Sequence, residues 1–205
     1  MGKLFTVCEW VMLLAYVNLL WFLFTILGFV IFGITPATIA LFTIVRKWQM
    51  KETEIPIWRT FLTVYKQEFK KSNKLGLCLI LIGAFLILDF LFLRTIEGTL
   101  HAALFAPLLI ISSLYIITML FIIPVYVHYD LKIMDYLKNA CFLGILNIHM
   151  TLLMLGAVGA IVFLSFYQPG LIIFFSMVSV AWTLMFGGLY SFKRIEERQR
   201  ELNTN

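Results

Sequence analysis

Apolar residues run along this chain in long blocks, and the charged residues collect in the gaps between them. Four blocks, Leu75–Leu93, Leu104–Val127, Ala140–Phe166 and Leu171–Phe192, supply the roughly 20 residues a helix needs to cross a bilayer. A fifth, about Thr6–Phe32, precedes them. The pattern predicts an all-α polytopic membrane helix bundle forming one domain over residues 1–205. It has five long spans, a short helix after Pro36 and an amphipathic interfacial helix. The expected bounds are about 6–32, 36–50, 75–93, 104–127, 140–166 and 171–192, with the interfacial helix at 56–71.

The short helix comes from a break inside the first apolar run, in "VIFGITPATIALFTIVRKW" (residues 30–48). Gly33 frees the backbone, and the residue before Pro36 is pushed out of the helical region. The Thr35 hydroxyl can cap a new helix whose first turn accommodates Pro36. A helix from Pro36 to Met50 is only about 22 Å long. That is short for a ~30 Å hydrocarbon core, although Arg46 and Lys47 can snorkel outward. Two topologies fit. In one, the corner lies in or near the outer leaflet and the short helix returns, with the N-terminus inside. In the other, the first helix enters from outside and the Pro36 helix lies along the inner surface. The uncharged stretch Ala37–Val45 favours the returning hairpin, and Lys3 alone does not decide between them. Val7–Phe32 is too long for a signal-peptide core and no small-x-small site follows it, so this helix is expected to be retained.

The segment "PIWRTFLTVYKQEFKK" (residues 56–71) has a different period. At 100° per residue, Ile57, Trp58, Phe61, Leu62, Val64, Tyr65 and Phe69 share one face, and Arg59, Lys66, Lys70 and Lys71 lie on the other. Glu68 is the exception on the apolar side. A basic face opposite an aromatic face predicts a helix lying in the membrane interface, attracted to anionic lipid.

Composition and charge sharpen the picture. Of 205 residues, 62% are apolar and 13% charged, against about half and a quarter in soluble domains. The net charge of +5 does not point to nucleic acid, because the basic residues cluster at the ends of the apolar blocks. Residues 46–74 carry eight Lys/Arg, residues 128–139 two, and the tail from Lys193 four, whereas the 94–101 gap carries only Arg94. Alternation therefore puts fourteen basic residues on one side and one on the other, which predicts a cytoplasmic C-terminus. Cys8, Cys78 and Cys141 are too widely spaced for a disulfide framework or a zinc site and read as small apolar fillers.

Few polar residues interrupt the spans. Asp89 lies inside Leu75–Leu93, and an intramembrane carboxylate is a functional hypothesis by default. The plainer expectation is an interhelix contact near the outer end, close to Arg94 in sequence but off its helix face. Asn147 and His149, two residues apart, point to different faces and predict interhelix hydrogen bonds. His101, His128 and His149 fall at three depths, so they form no metal site. Ser179, Thr183, Gly187 and Ser191 repeat every fourth residue and predict close helix packing, as do Gly156 and Ala160. No phosphate-binding glycine loop, nucleophile elbow, HExxH or CxxC occurs. No catalytic, cofactor-binding or metal-binding residue is assigned. The candidate structural or functional positions are Gly33, Thr35, Pro36, Asp89, Asn147 and His149.

Asn18-Leu19-Leu20-Trp21, then Gly33-Ile34-Thr35-Pro36-Ala37-Thr38, Ala40-Leu41 and Arg46-Lys47, followed by Phe61 and Phe69 in a basic helix, resembles the amino-terminal signature of the YesL-like family. These are bacterial membrane proteins grouped as a domain of unknown function. The resemblance covers about the first 80 residues. It implies a small multi-helix protein of the bacterial inner membrane, often encoded beside carbohydrate uptake systems of the ATP-binding-cassette type. It carries no activity or catalytic residue. The expectation is therefore a non-enzymatic accessory protein without a cofactor. Its partners would be the lipid bilayer and either a sugar ABC-transporter permease or a second copy of itself. A small transporter with a site at the Phe32–Thr38 break is the alternative, because discontinuous helices often form transport sites.

Overall fold

The computed structural model of the protein describes residues 3–204, and these form seven helices and no strands. They are α1 (Lys3–Leu27), α2 (Ile34–Gln49), α3 (Ile57–Leu93), α4 (Thr99–His128), α5 (Ile133–Leu146), α6 (Ile148–Tyr167) and α7 (Pro169–Thr204). The Lys3 side chain lies outside what is described. Within α1, α3, α4, α6 and α7 lie five segments long and apolar enough to cross a membrane. Large apolar side chains such as Leu81, Phe85, Leu152 and Phe163 stand on their outer faces, more than half exposed. Patches of this extent are not left open to water in a soluble monomer. Against lipid tails, as apolar as leucine, they cost nothing. The chain is an all-α, multi-pass integral membrane protein.

The short helix α2 holds the centre. Ten of the 16 residues of α2 are buried, and Ala37, Ala40, Leu41, Ile44 and Val45 are fully so. α1, α3, α4 and α7 all pack on it. A helix buried all round needs no match to bilayer thickness, which removes the difficulty raised by its length. α2 returns antiparallel to α1. Trp10 and Trp48 meet at one end with ring centroids 5.5 Å apart, Trp21 Nε1 donates to Thr38 Oγ1 at 3.0 Å, and Gly28 meets Gly33 at the corner. The two helices form a hairpin, and its corner packs against Tyr65 and Asn73 in the basic stretch of α3.

The corner differs in detail from expectation. α1 ends at Leu27, not Phe32, and residues 28–33 form the turn. Gly33 has an ordinary right-handed backbone (φ −87°), so conformational freedom is not why it is glycine. Space is the reason: a Cβ at Gly33 would lie 2.4 Å from the Thr25 carbonyl oxygen, and one at Gly28 would lie 2.3 Å from Gly33 Cα. The left-handed residues are instead Phe29 (φ 56°) and Val30 (φ 62°). Thr35 does not cap the helix. No side-chain cap is present at Gly33, and the Thr35 hydroxyl packs against Gly76 of α3. Pro36 falls third in α2 and is buried, where its missing N–H is one of the four that a helix start leaves without a partner.

Two expected boundaries fail. The interfacial helix 56–71 and the span 75–93 are one helix, α3, 37 residues and about 55 Å long. A segment collinear with a span does not lie flat in the interface. Its apolar face is instead covered by protein: Phe61 is fully buried, and Phe24 of α1 packs on Phe61 and Tyr65 at 5.1 and 4.9 Å. The expected span 140–166 is in turn broken at Asn147 into α5 and α6. Asn147 is buried at φ −116°, ψ 49°, and its side-chain N–H donates to the Leu143 carbonyl at 3.1 Å. A short amide that bonds its own backbone competes with the helical ladder.

Candidate functional site

The densest group of charged and phenolic side chains gathers where α3, α4 and α5 meet. Glu68 and Lys71 stand three residues apart on α3. Tyr126 comes from the last turn of α4, Asp130 from the loop that follows, and Tyr136 from the first turn of α5. The Tyr126 hydroxyl donates to Glu68 Oε2 at 2.6 Å. Lys71 Nζ donates to Asp130 and, at 3.2 Å, to the Tyr136 hydroxyl, and it lies about 5.5 Å from the centroids of the Tyr126 and Tyr136 rings. The Tyr136 hydroxyl donates to the Tyr129 carbonyl at 3.0 Å and accepts from the Leu131 N–H at 2.9 Å, which fixes the loop between α4 and α5.

These groups border a cavity of about 410 Å³ that also reaches Thr43 of α2. The Lys71 hydrogen bond holds the Asp130 carboxyl below the usual carboxylate range. Burial, followed by the Glu196 charge, raises the Tyr129 phenol. Chemically the cluster offers one ammonium, two carboxylates and two phenols. That set can bind a polar group and pin helices, and His128 and Tyr129 also line the cavity. Glu68 was the sequence signal, a carboxylate on an otherwise apolar face. Its partner Tyr126 lies 58 residues away.

A second feature is aromatic. Trp10, Trp48 and Trp182 pack edge-on or tilted, with centroids 5.5–6.5 Å apart, around a cleft of about 810 Å³ between α1, α2 and α7. Gln49 closes one wall by donating to the Trp182 carbonyl at 2.8 Å.

The structure does not bring the sequence candidates together. Gly33, Thr35 and Pro36 form the packed corner. Asp89 is half-buried on the far half of α3 and makes no hydrogen bond or ion pair with a described residue, Arg94 included. Asn147 bonds only within its own chain break. His149 is exposed, with Nε2 2.9 Å from Arg194 Nη1 on α7, a contact between helices. The small-residue stripe of α7 divides. Gly187 packs on Met154 of α6 and Ser191 is buried, while Ser179 and Thr183 line the tryptophan cleft. Among the described residues no group of three or more His, Cys, Asp or Glu could hold a metal ion.

Asn18, in the amino-terminal signature, joins two helices. It is fully buried on α1, and its side chain donates to the Ile173 carbonyl at 2.7 Å and accepts from the N–H groups of Met177 and Val178 at 3.0 Å each. It thus spans the rung that joins residues 173 and 177 in an undisturbed helix.

Comparison with known proteins places this architecture. Residues 14–90 match the family model described as "Protein of unknown function, DUF624". Three Bacillus subtilis proteins are similar along nearly the whole chain. YteU is 38% identical, covering 90% of this chain and 83% of its own length. YesV is 34% identical over 97% and 95%, and YesL is 33% identical over 95% and 91%. No solved structure matches. With relatives of this similarity and coverage, the chain belongs to the DUF624 family, the YesL-like membrane proteins of unknown function.

Proposed function

We propose that the protein is a non-enzymatic accessory component of a carbohydrate uptake system, binding a permease subunit within the bacterial cell membrane, with its C-terminus in the cytoplasm. One observation supports this above others: the longest-range polar contacts of the spans run from helix to helix. Asn18 bonds α7, Trp21 bonds α2, and Tyr65 and Tyr115 donate to the Phe24 and Leu79 carbonyls of neighbouring helices. Polar groups spent in this way hold a bundle together rather than line a solute path. What remains for function is the outer surface: apolar helix faces, the basic side of α3 and the tryptophan cleft.

The carbohydrate system is what the YesL-like resemblance implies. The fourteen-to-one distribution of basic residues supports the orientation. Co-purification from native membranes tests the reading. A sugar permease subunit is expected with the tagged chain, above the level found with an unrelated membrane protein. If none is enriched, and deletion of the chain leaves sugar uptake unchanged, the reading fails. The transporter alternative gains no support from the geometry, because Asn18, Asp89 and His149 do not meet and the corner at 28–33 is closed by backbone contact.

A further inference from the structure

The turn between α1 and α2 carries four successive exposed apolar residues, Phe29, Val30, Ile31 and Phe32, and Phe29 is 86% exposed. Two of them hold a left-handed backbone that phenylalanine and a β-branched valine rarely adopt. The turn is held in this form from outside: Asn73 on α3 donates to the Phe32 carbonyl at 2.9 Å, and Tyr65 donates to the Phe24 carbonyl at 3.1 Å. Between the turn and α3 lies an apolar cleft of about 370 Å³, lined by Phe24, Phe29, Phe32, Leu62 and Phe69, with Lys66 beside them.

Lys66 does not stand alone. At 100° per residue, Arg59, Lys66 and Lys70 fall within about 40° of one another on the exposed side of α3, and Lys74 follows one turn on. All four are exposed, and none makes an ion pair or hydrogen bond with a described residue. The only acidic residue in this stretch, Glu68, turns away to Tyr126. The surface therefore sets an apolar slot beside a row of uncompensated positive charge, at the level where an apolar turn and charged side chains stand together.

We infer that this cleft and its lysines form a binding site for one anionic phospholipid. The phosphate-bearing headgroup sits on Lys66 and Lys70, and an acyl chain lies in the aromatic cleft. Charge complementarity selects this occupant. A zwitterionic lipid fills the slot but does not neutralise the lysines, and an acidic soluble molecule answers the lysines but leaves the slot empty. Basic residues at a membrane surface attract anionic headgroups, whereas apolar contact alone does not discriminate between them.

Native mass spectrometry of the detergent-purified full chain, titrated separately with phosphatidylglycerol, phosphatidylethanolamine and glycerol phosphate, reads the site. The expected result is retention of phosphatidylglycerol over phosphatidylethanolamine by at least about fivefold, with glycerol phosphate not retained. The Lys66→Glu/Lys70→Glu variant and the milder Lys66→Gln/Lys70→Gln variant lose the preference, and Phe29→Ser lowers retention of both lipids. Equal retention of the two lipids by the unaltered chain overturns the proposal, as does an unchanged preference in both lysine variants. If the lysine variants keep the preference but lose a co-purifying membrane protein, the lysines serve a protein partner and the lipid site is likewise refuted.

Discussion

Asn18 donates its side-chain N–H to the Ile173 carbonyl at 2.7 Å, so a side chain of α1 bonds directly to the backbone of α7. Its N–H group also reaches the Ile172 carbonyl at 3.4 Å and its oxygen accepts from Met177 and Val178, so one buried amide serves four backbone groups. Removing it leaves buried donors and an acceptor without partners, at about 1–3 kcal/mol. Asn18→Ala is predicted to lower thermal stability in detergent by that order, and Asn18→Asp by more, because a carboxylate repels the Ile173 carbonyl. A melting curve unchanged in both variants would show that the bond carries no weight.

The glycine corner makes a prediction with an internal control. A methyl at Gly33 meets backbone that cannot turn aside, whereas nothing lies within 4 Å of a Cβ at Gly156 or Gly159. Gly33→Ala is expected to destabilise by about 1–3 kcal/mol or to block accumulation of the protein. Gly156→Ala and Gly159→Ala should be neutral or slightly stabilising, since glycine within a helix costs about 0.5–1 kcal/mol relative to alanine. The reverse order would contradict the corner as described.

Acid should release the contact between α3 and the α4–α5 loop. The Asp130 carboxyl is held low by Lys71, so its folded pKa lies below its unfolded value near 4. Such a group contributes stability above the unfolded value and loses it as pH falls through the folded one. The difference between wild type and Asp130→Asn should therefore be present at neutral pH, small because the pair is exposed, and fade as pH falls from about 4 through the folded pKa. A difference that grew on acidification would reverse the sign and refute the pair.

Tyr136 in the same cluster behaves differently because it is buried. Tyr136→Phe removes the hydroxyl that satisfies the Leu131 N–H and the Tyr129 carbonyl. The expected cost is about 1–3 kcal/mol. Hydrogen exchange at the Leu131 amide reads the effect locally, and unchanged protection would count against the bond.

The parts of this fold legible in the sequence are those set by composition and by steric punctuation. Blocks of apolar residues announced the membrane helices, and Gly33 with Pro36 announced the corner. The continuity of α3 was not legible, because a run of lysines marks where a segment leaves the hydrocarbon, not where a helix ends. The break at Asn147 was hidden for the opposite reason: a single asparagine lowers helix propensity only slightly, and the loss shows only where its amide captures the Leu143 carbonyl. Asn18 and the Glu68–Tyr126 pair needed partners 155 and 58 residues distant, which no local pattern supplies.

The interior of this bundle is closed, with α2 buried in protein and the corner shut by backbone contact. Cysteine substitution at Ala37, Ala40 and Thr43, in a chain whose three native cysteines are replaced by alanine, tests it with a membrane-impermeant thiol reagent applied to both membrane faces. No reaction is expected at residues 37 and 40, both fully buried, and reaction is expected at residue 43, which lines the charged cavity. Rapid labelling at both 37 and 40 would reveal a water-filled pathway along α2 and contradict it.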